Sequence, residues 1–189
     1  MNNPVLDMIS KIIPLSNALK RDVTSKLTFA KIDRKQILLK EGEVCNYLYF
    51  VQKGLLRSFY DKEDQDITNW FLLENDLAIS LLSFYRRQPS FETIETLEDS
   101  ELLYIHYDDL MELYRKFPIF NVVGRVLTEE YYCRSEEKTI ALRKQSATEK
   151  YADFMNQYPE IINRVPKKYI ASYLGVTTET LSRIKASKL

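Results

Sequence analysis

The chain is poor in histidine, cysteine and glycine, and it carries no net charge. A single imidazole, His106, excludes HExxH, three-histidine and two-histidine-one-carboxylate centres, each of which needs at least two. Its place at the end of an apolar run marks it as a structural histidine. The two cysteines, Cys45 and Cys133, stand far apart and in no CxxC spacing. They form neither a disulfide framework nor a zinc or iron–sulfur ligand set, and both are expected to be buried thiols. No nucleophile and base sit at a recognisable spacing, so no catalytic site, metal or cofactor is expected. No apolar stretch approaches the roughly eighteen residues that span a bilayer. Residues 1–7 also lack the basic-then-apolar order of a secretory signal, so a cytoplasmic protein with no membrane partner is expected.

What is present is an ordinary apolar content, 45% of 189 residues, with 29% charged, enough to bury one or two cores. The 27 basic and 27 acidic residues are unevenly placed. From Arg164 onward six basic residues face one acid, Glu179, which marks a basic contact surface on an acidic body.

Three regimes of periodicity follow one another. The first opens with short helical segments (Leu6, Ile9, Ile13, then Leu19, Val23, Leu27). It then turns to predicted strands at 36–39, 47–51, 55–60, 67–73, 92–96 and 102–105. Gly42, Gly54 and the acidic segment 61–66 supply the reversals, and short strands at this spacing predict an antiparallel sandwich or roll. In the second regime Asp108 is the expected N-cap of a helix through Phe117, and Pro118 breaks it. A long helix over 119–144 follows, about 39 Å at 1.5 Å per residue. Its apolar stripe, Phe120, Val123, Val126, Leu127 and Tyr131, is too long for one small domain to cover, and a second copy of the helix is the expected cover. The alternative is an amphipathic helix lying on its own domain. In the third regime Ser146 and Glu149 fit a capping box, Pro159 ends that helix, and Pro166 suits the first turn of the next.

The densest pattern lies beyond Pro166. Ala171, Gly175, Leu181 and Ile184, with Ile170, Leu174 and Val176 in the other apolar slots, have the spacing of a helix-turn-helix. A small residue allows close helix approach, and glycine permits the left-handed turn. Thr177 caps a second helix whose outer face carries Thr178, Glu179, Ser182, Arg183, Lys185 and Lys188. Arg183 can fork to guanine O6 and N7, Glu179 can accept from cytosine N4, and Lys167, Lys168, Thr177 and Thr180 can grip phosphates. The other reading is an effector-binding module whose C-terminal helices, with a solvated charged face, contact a protein.

At this point the chain resembles the Crp/Fnr transcription regulators. Lys40-Glu41-Gly42-Glu43, then Leu48-Tyr49-Phe50-Val51 and Gly54, are similar to that family's turn-strand-turn signature. Glu179-Thr180 and Arg183 match its recognition helix, while Thr178 stands where cyclic-AMP-responsive members carry arginine. The resemblance implies an α+β fold. It comprises an N-terminal antiparallel β-roll (a cupin-like double-stranded β-helix), a long dimerisation helix and a C-terminal helix-turn-helix lacking a full wing. The expected divisions are a sensor over 1–110, the helices over 111–145 and a DNA-binding domain over 146–189. The implied partners are a second copy of the chain, double-stranded DNA with a palindromic site, and RNA polymerase. Where relatives hold cyclic AMP with a Gly-Glu and an Arg-Ser pair, this chain aligns Ile79-Ser80 and Ser90-Phe91. The ribose carboxylate and phosphate arginine are therefore missing, and cyclic AMP bound in the usual way is not expected. An effector, if any, would lie against Ser80, Phe84, Ser90 and Phe91 and act through the junction near Gln145. Arg86 and Arg87, just before, are expected to be solvated.

Overall fold

The structure is a computed structural model that describes residues 3–63 and 65–187. Its contacts divide into two compact units, one of residues 1–58 and 71–129, the other of residues 59–70 and 130–189.

The first unit begins with helix α1 (Pro4–Ser10), where the Asn3 side chain accepts the Val5 amide at 3.1 Å, and helix α2 (Asn17–Lys26), capped by Ser16. The roll has two four-stranded sheets. One orders β1 (Thr28–Ile32), β8 (Ser100–His106), β3 (Tyr47–Lys53) and β6 (Leu77–Ala78); the other orders β2 (Ile37–Leu39), β7 (Thr93–Thr96), β4 (Leu56–Lys62) and β5 (Gln65–Leu72). Pairings such as Tyr49 opposite Tyr104 are antiparallel, as the expected roll requires. Phe50, Val51, Leu56, Ile94, Leu102 and Ile105 meet between the sheets, and Ile9, Leu19 and Val23 of the helices close the same core.

Three elements of the first unit lie outside the predicted pattern. Strand β1 follows α2 with only Leu27 between them, so no turn residue announces it. Strand β6 and helix α3 (Leu81–Arg86) are each too short to show a period. Helix α4 (Tyr107–Lys116) begins one residue after β8, and its cap is His106, whose Nδ1 accepts the Asp108 amide at 3.2 Å; Asp108 itself is in the first turn. The strand runs straight into the helix, which leaves no room for the expected cap.

Helix α5 (Phe120–Lys144) covers the predicted span to within one residue. Its first turns belong to the first unit's core. Phe120 and Val123 are 5% and 2% exposed, and Leu127 packs beside them. Gly124 allows this approach, because a Cβ there would stand 2.9 Å from Tyr114 Cζ. This corrects the expected interface: Phe120 and Val123 are spent inside their own domain, since burying them there satisfies the apolar stripe without a second copy. Val126 is half-buried, and the Tyr131 ring lies 5.6 Å from Trp70 in the second unit. The outward residues are instead Ile119, Tyr132, Cys133, Ile140 and Leu142. Of the two thiols, Cys45 is buried as expected; Cys133 is exposed, because it points away from the core face of α5.

The second unit holds helix α6 (Ala147–Gln157), the short α7 (Ile161–Arg164), α8 (Lys167–Leu174) and α9 (Thr178–Ser187), together with the tip of the β4–β5 hairpin. The capping box forms as read: Ser146 Oγ accepts the Glu149 amide at 3.3 Å, and Glu149 Oε2 accepts the Ser146 amide at 2.7 Å. Pro166 is the N-cap of α8. The hairpin tip binds α8 directly, for Ser172 Oγ accepts the Thr68 amide at 2.8 Å and donates to the Asp66 carbonyl at 3.0 Å. No helix of the described residues is long and apolar enough to cross a membrane.

Candidate nucleic-acid interface

Helices α8 and α9 are joined through Gly175, which adopts the left-handed conformation (φ 66°, ψ 37°). Its amide bonds the Ser172 carbonyl at 3.1 Å and the Val176 amide bonds the Ala171 carbonyl at 3.0 Å, closing α8 with the pattern that a left-handed residue permits. Ile170, Ala171 and Leu174 of α8 and Leu181 and Ile184 of α9 are buried, joined by Tyr151 and Phe154 of α6. The spacing that predicted a helix-turn-helix is therefore the spacing of one small core.

Locking Leu181 and Ile184 inward turns the intervening residues out. Thr177, Thr178, Glu179, Ser182 and Arg183 are exposed, as are Lys167 and Lys168 at the start of α8; Thr180 and Lys185 are half-buried. Thr177 caps α9, its Oγ1 accepting the Thr180 amide at 3.2 Å. The Glu179 carboxyl is held below its ordinary range by its own backbone amide, then by the hydroxyls of Thr177 and Thr178, with Arg183 one turn on a smaller influence. It is an anion tethered at a helix N-terminus, still facing outward. Among the described residues no ion pair occupies Arg183. Lys185 is pulled below the usual lysine value by burial and by the neighbouring charge of Lys167. Ser182 differs from the rest, because its hydroxyl already donates to the Thr178 carbonyl at 2.8 Å. Lys188 lies outside the described residues.

In the roll, Ser80, Phe84 and Ser90 come together and are buried, whereas Phe91 is exposed. Ser90 Oγ lies 2.9 Å from Ser80 Oγ, 2.6 Å from the Glu92 carbonyl and 3.1 Å from the Glu92 amide. The two hydroxyls thus satisfy one another and the adjoining backbone. One buried charged group escaped the sequence reading. Arg57 is 1% exposed, and its Nε meets Glu95 Oε1 at 2.5 Å across β4 and β7. An arginine inside a strand of alternating Leu, Ser and Phe gives no hint of burial, and only its sheet partner explains it. Arg86 and Arg87 are exposed, as expected; Arg87 also donates to the carbonyls of Cys45 at 2.7 Å and Phe84 at 3.2 Å, and its guanidinium lies 4.2 Å from the centre of the Tyr107 ring. Its positive φ of 52° ends α3 and swings the side chain back over that turn.

Residues 30–117 match the family of cyclic nucleotide-binding domains. The chain is 29% identical over 167 residues to an anaerobic regulatory protein of Pasteurella multocida, covering 81% of this chain and 60% of the length of that relative. Among solved structures, FixK2 from Bradyrhizobium japonicum superposes with a TM-score of 0.74 at 19% identity, over 85% of this chain and 83% of that one. A transcriptional regulator of the Crp/Fnr family from Eubacterium rectale gives 0.70 at 19% identity, over 92% and 85%. At such identities these two likenesses are likenesses of fold, and the sequence match runs through both the roll and the helices. Residues 30–117 thus match a cyclic nucleotide-binding domain, and the fold of the chain is similar to that of Crp/Fnr regulators.

Proposed function

We propose that the chain is a sequence-specific, homodimeric DNA-binding transcription regulator whose roll does not take cyclic AMP in the usual way. The observation that carries this is the outer face of α9, where Thr178, Glu179, Ser182 and Arg183 are exposed together while Leu181 and Ile184 anchor the helix from behind. A face that merely bound phosphate would gain nothing from Glu179, whereas one that reads bases can use it. Lys167, Lys168, Lys185, Thr177 and Thr180 then serve as backbone contacts. A second copy would sit along the outward seam Ile119, Val126, Cys133 and Ile140, a seven-residue repeat that replaces the inward Phe120 and Val123. Two recognition helices related by a two-fold axis reach successive major grooves roughly 34 Å apart, so the operator is an inverted repeat. RNA polymerase is the partner a regulator on such a site would meet. Against cyclic AMP stands the self-satisfied pair Ser80 and Ser90, at the positions where relatives carry the ribose carboxylate and phosphate arginine.

The test is selection from random duplexes at two salt concentrations, with sedimentation of the protein alone. A palindromic consensus, steep loss of binding on raising salt, and a dimer by mass support the reading. Recovery of no symmetric site, or salt-independent retention, sinks it.

A further inference from the structure

The first turn of α9 is crowded with threonine, a poor helix former: Thr177, Thr178 and Thr180 surround Glu179. Two of the three are explained by the cap. Thr177 Oγ1 accepts the Thr180 amide, and the hydroxyls of Thr177 and Thr180 lie 3.2 Å apart. Thr178 has no such duty. Its side chain is exposed, so its methyl group fills no core, and the bond it receives from Ser182 goes to its backbone carbonyl, which any residue would supply. What its hydroxyl does is donate to Glu179 Oε1 at 3.1 Å.

That bond matters because of what else holds the carboxylate. An ionised carboxylate accepts along about four lone-pair directions. Three are taken, by the Glu179 backbone amide and by the hydroxyls of Thr177 and Thr178, the donors that also hold the carboxyl below its ordinary range. About one direction is left for an incoming N–H. In the major groove cytosine N4 and adenine N6 each offer one, whereas guanine and thymine present acceptor oxygens, which an anion repels. A glutamate free at all its side-chain torsions would spread over several base edges and lose that freedom on contact; one already held meets a single edge.

We infer that Thr178 is a positioning residue of the recognition helix: its hydroxyl fixes the Glu179 carboxylate so that each half-site is selected, at one position, for a base with an amino group in the major groove, cytosine or adenine. The inference rests on the base-reading role proposed above for α9, and its test separates the two.

The measurement is competition binding of the full chain to its selected duplex and to duplexes carrying each other base pair at every position of one half-site. Glu179→Ala identifies the position that Glu179 reads, the one whose preference this variant flattens. There the unaltered protein should favour cytosine or adenine about tenfold over guanine or thymine. Thr178→Val, which removes the hydroxyl at nearly constant shape and helix propensity, should lower that preference about fivefold, the worth of one hydrogen bond, and leave the other positions and the salt dependence unchanged. Thr178→Ser, which restores the hydroxyl, should restore the preference. An undiminished preference in Thr178→Val, with sequence-specific binding intact, overturns this inference alone. So does a loss spread over every position, a failure of Thr178→Ser to recover it, or a Glu179→Ala variant that flattens no position. Selection of guanine or thymine where Glu179 reads overturns it as well. Absence of any sequence-specific binding removes the base-reading role and this inference with it.

Discussion

On the proposed function the outer face of α9 would separate into residues that read bases and residues that hold the backbone, and single substitutions distinguish them. Replacing Arg183 by alanine should cost about 1–3 kcal/mol on the preferred site and relax the choice of base at one position per half-site. Replacing Lys167 should weaken all sequences alike and lower the slope of log affinity against log salt by about one per chain. Competition binding on matched and mutated duplexes separates the two; identical behaviour of both variants would remove Arg183 from the reading role. Gly175 is subject to a different constraint. A methyl group there would meet only Leu142 Cδ2 at 3.8 Å, so Gly175→Ala suffers from its left-handed backbone and not from a clash. Thermal unfolding should register a loss of about 1 kcal/mol. A loss several times larger would mean the turn is packed more tightly than the geometry describes.

At the scale of elements, α5 and α6 make opposite demands. Phe120→Ala removes a core side chain from the first unit and should cost about 3–5 kcal/mol of its stability. Ile140, 51% exposed, is expected to matter only for assembly. Ile140→Asp should therefore leave the melting transition near its original position while shifting sedimentation toward the single chain; a lowered melting point with the assembly unchanged contradicts the seam. Helix α6 begins on a capping box, and Ser146→Ala should cost about 1 kcal/mol. The Ser146 hydroxyl and amide hold the Glu149 carboxyl below its ordinary 4.5. The native state therefore favours the ionised form. The stabilisation is complete above pH 4.5 and fades as pH falls through the lower native value. Unfolding measured from pH 7 to pH 3 should show an acid-dependent loss that Glu149→Gln removes.

These elements also show what a one-dimensional pattern can carry. The capping box, the helix-turn-helix and the strands β3, β4, β5 and β8 were legible because each has a period or a local partner within a few residues. The outward direction of α9 followed from Leu181 and Ile184 alone. Which stripe of α5 faces inward was not legible, because Phe120 and Val123 are matched by core residues far away in the chain. Arg57 was missed for a related reason. A buried arginine is explained by the carboxylate that receives it, and Glu95 lies on another strand.

For the molecule as a whole, 27 charges of each sign cancel, yet beyond Arg164 basic residues outnumber acids six to one. Association with another copy would double that surface without altering net charge, so DNA affinity should fall steeply with salt while solubility changes little. The two thiols add a chemical handle. Cys45 is buried, donates to the Tyr47 carbonyl at 3.3 Å, and has its pKa pushed up chiefly by burial, so little of the reactive thiolate forms. Cys133 stands open on α5 within the heptad Ile119, Val126, Cys133 and Ile140. A maleimide dye should consequently attach at Cys133 alone, with no engineered mutation, and its rate of attachment should slow as protein concentration rises and neighbouring copies shield the sulfur.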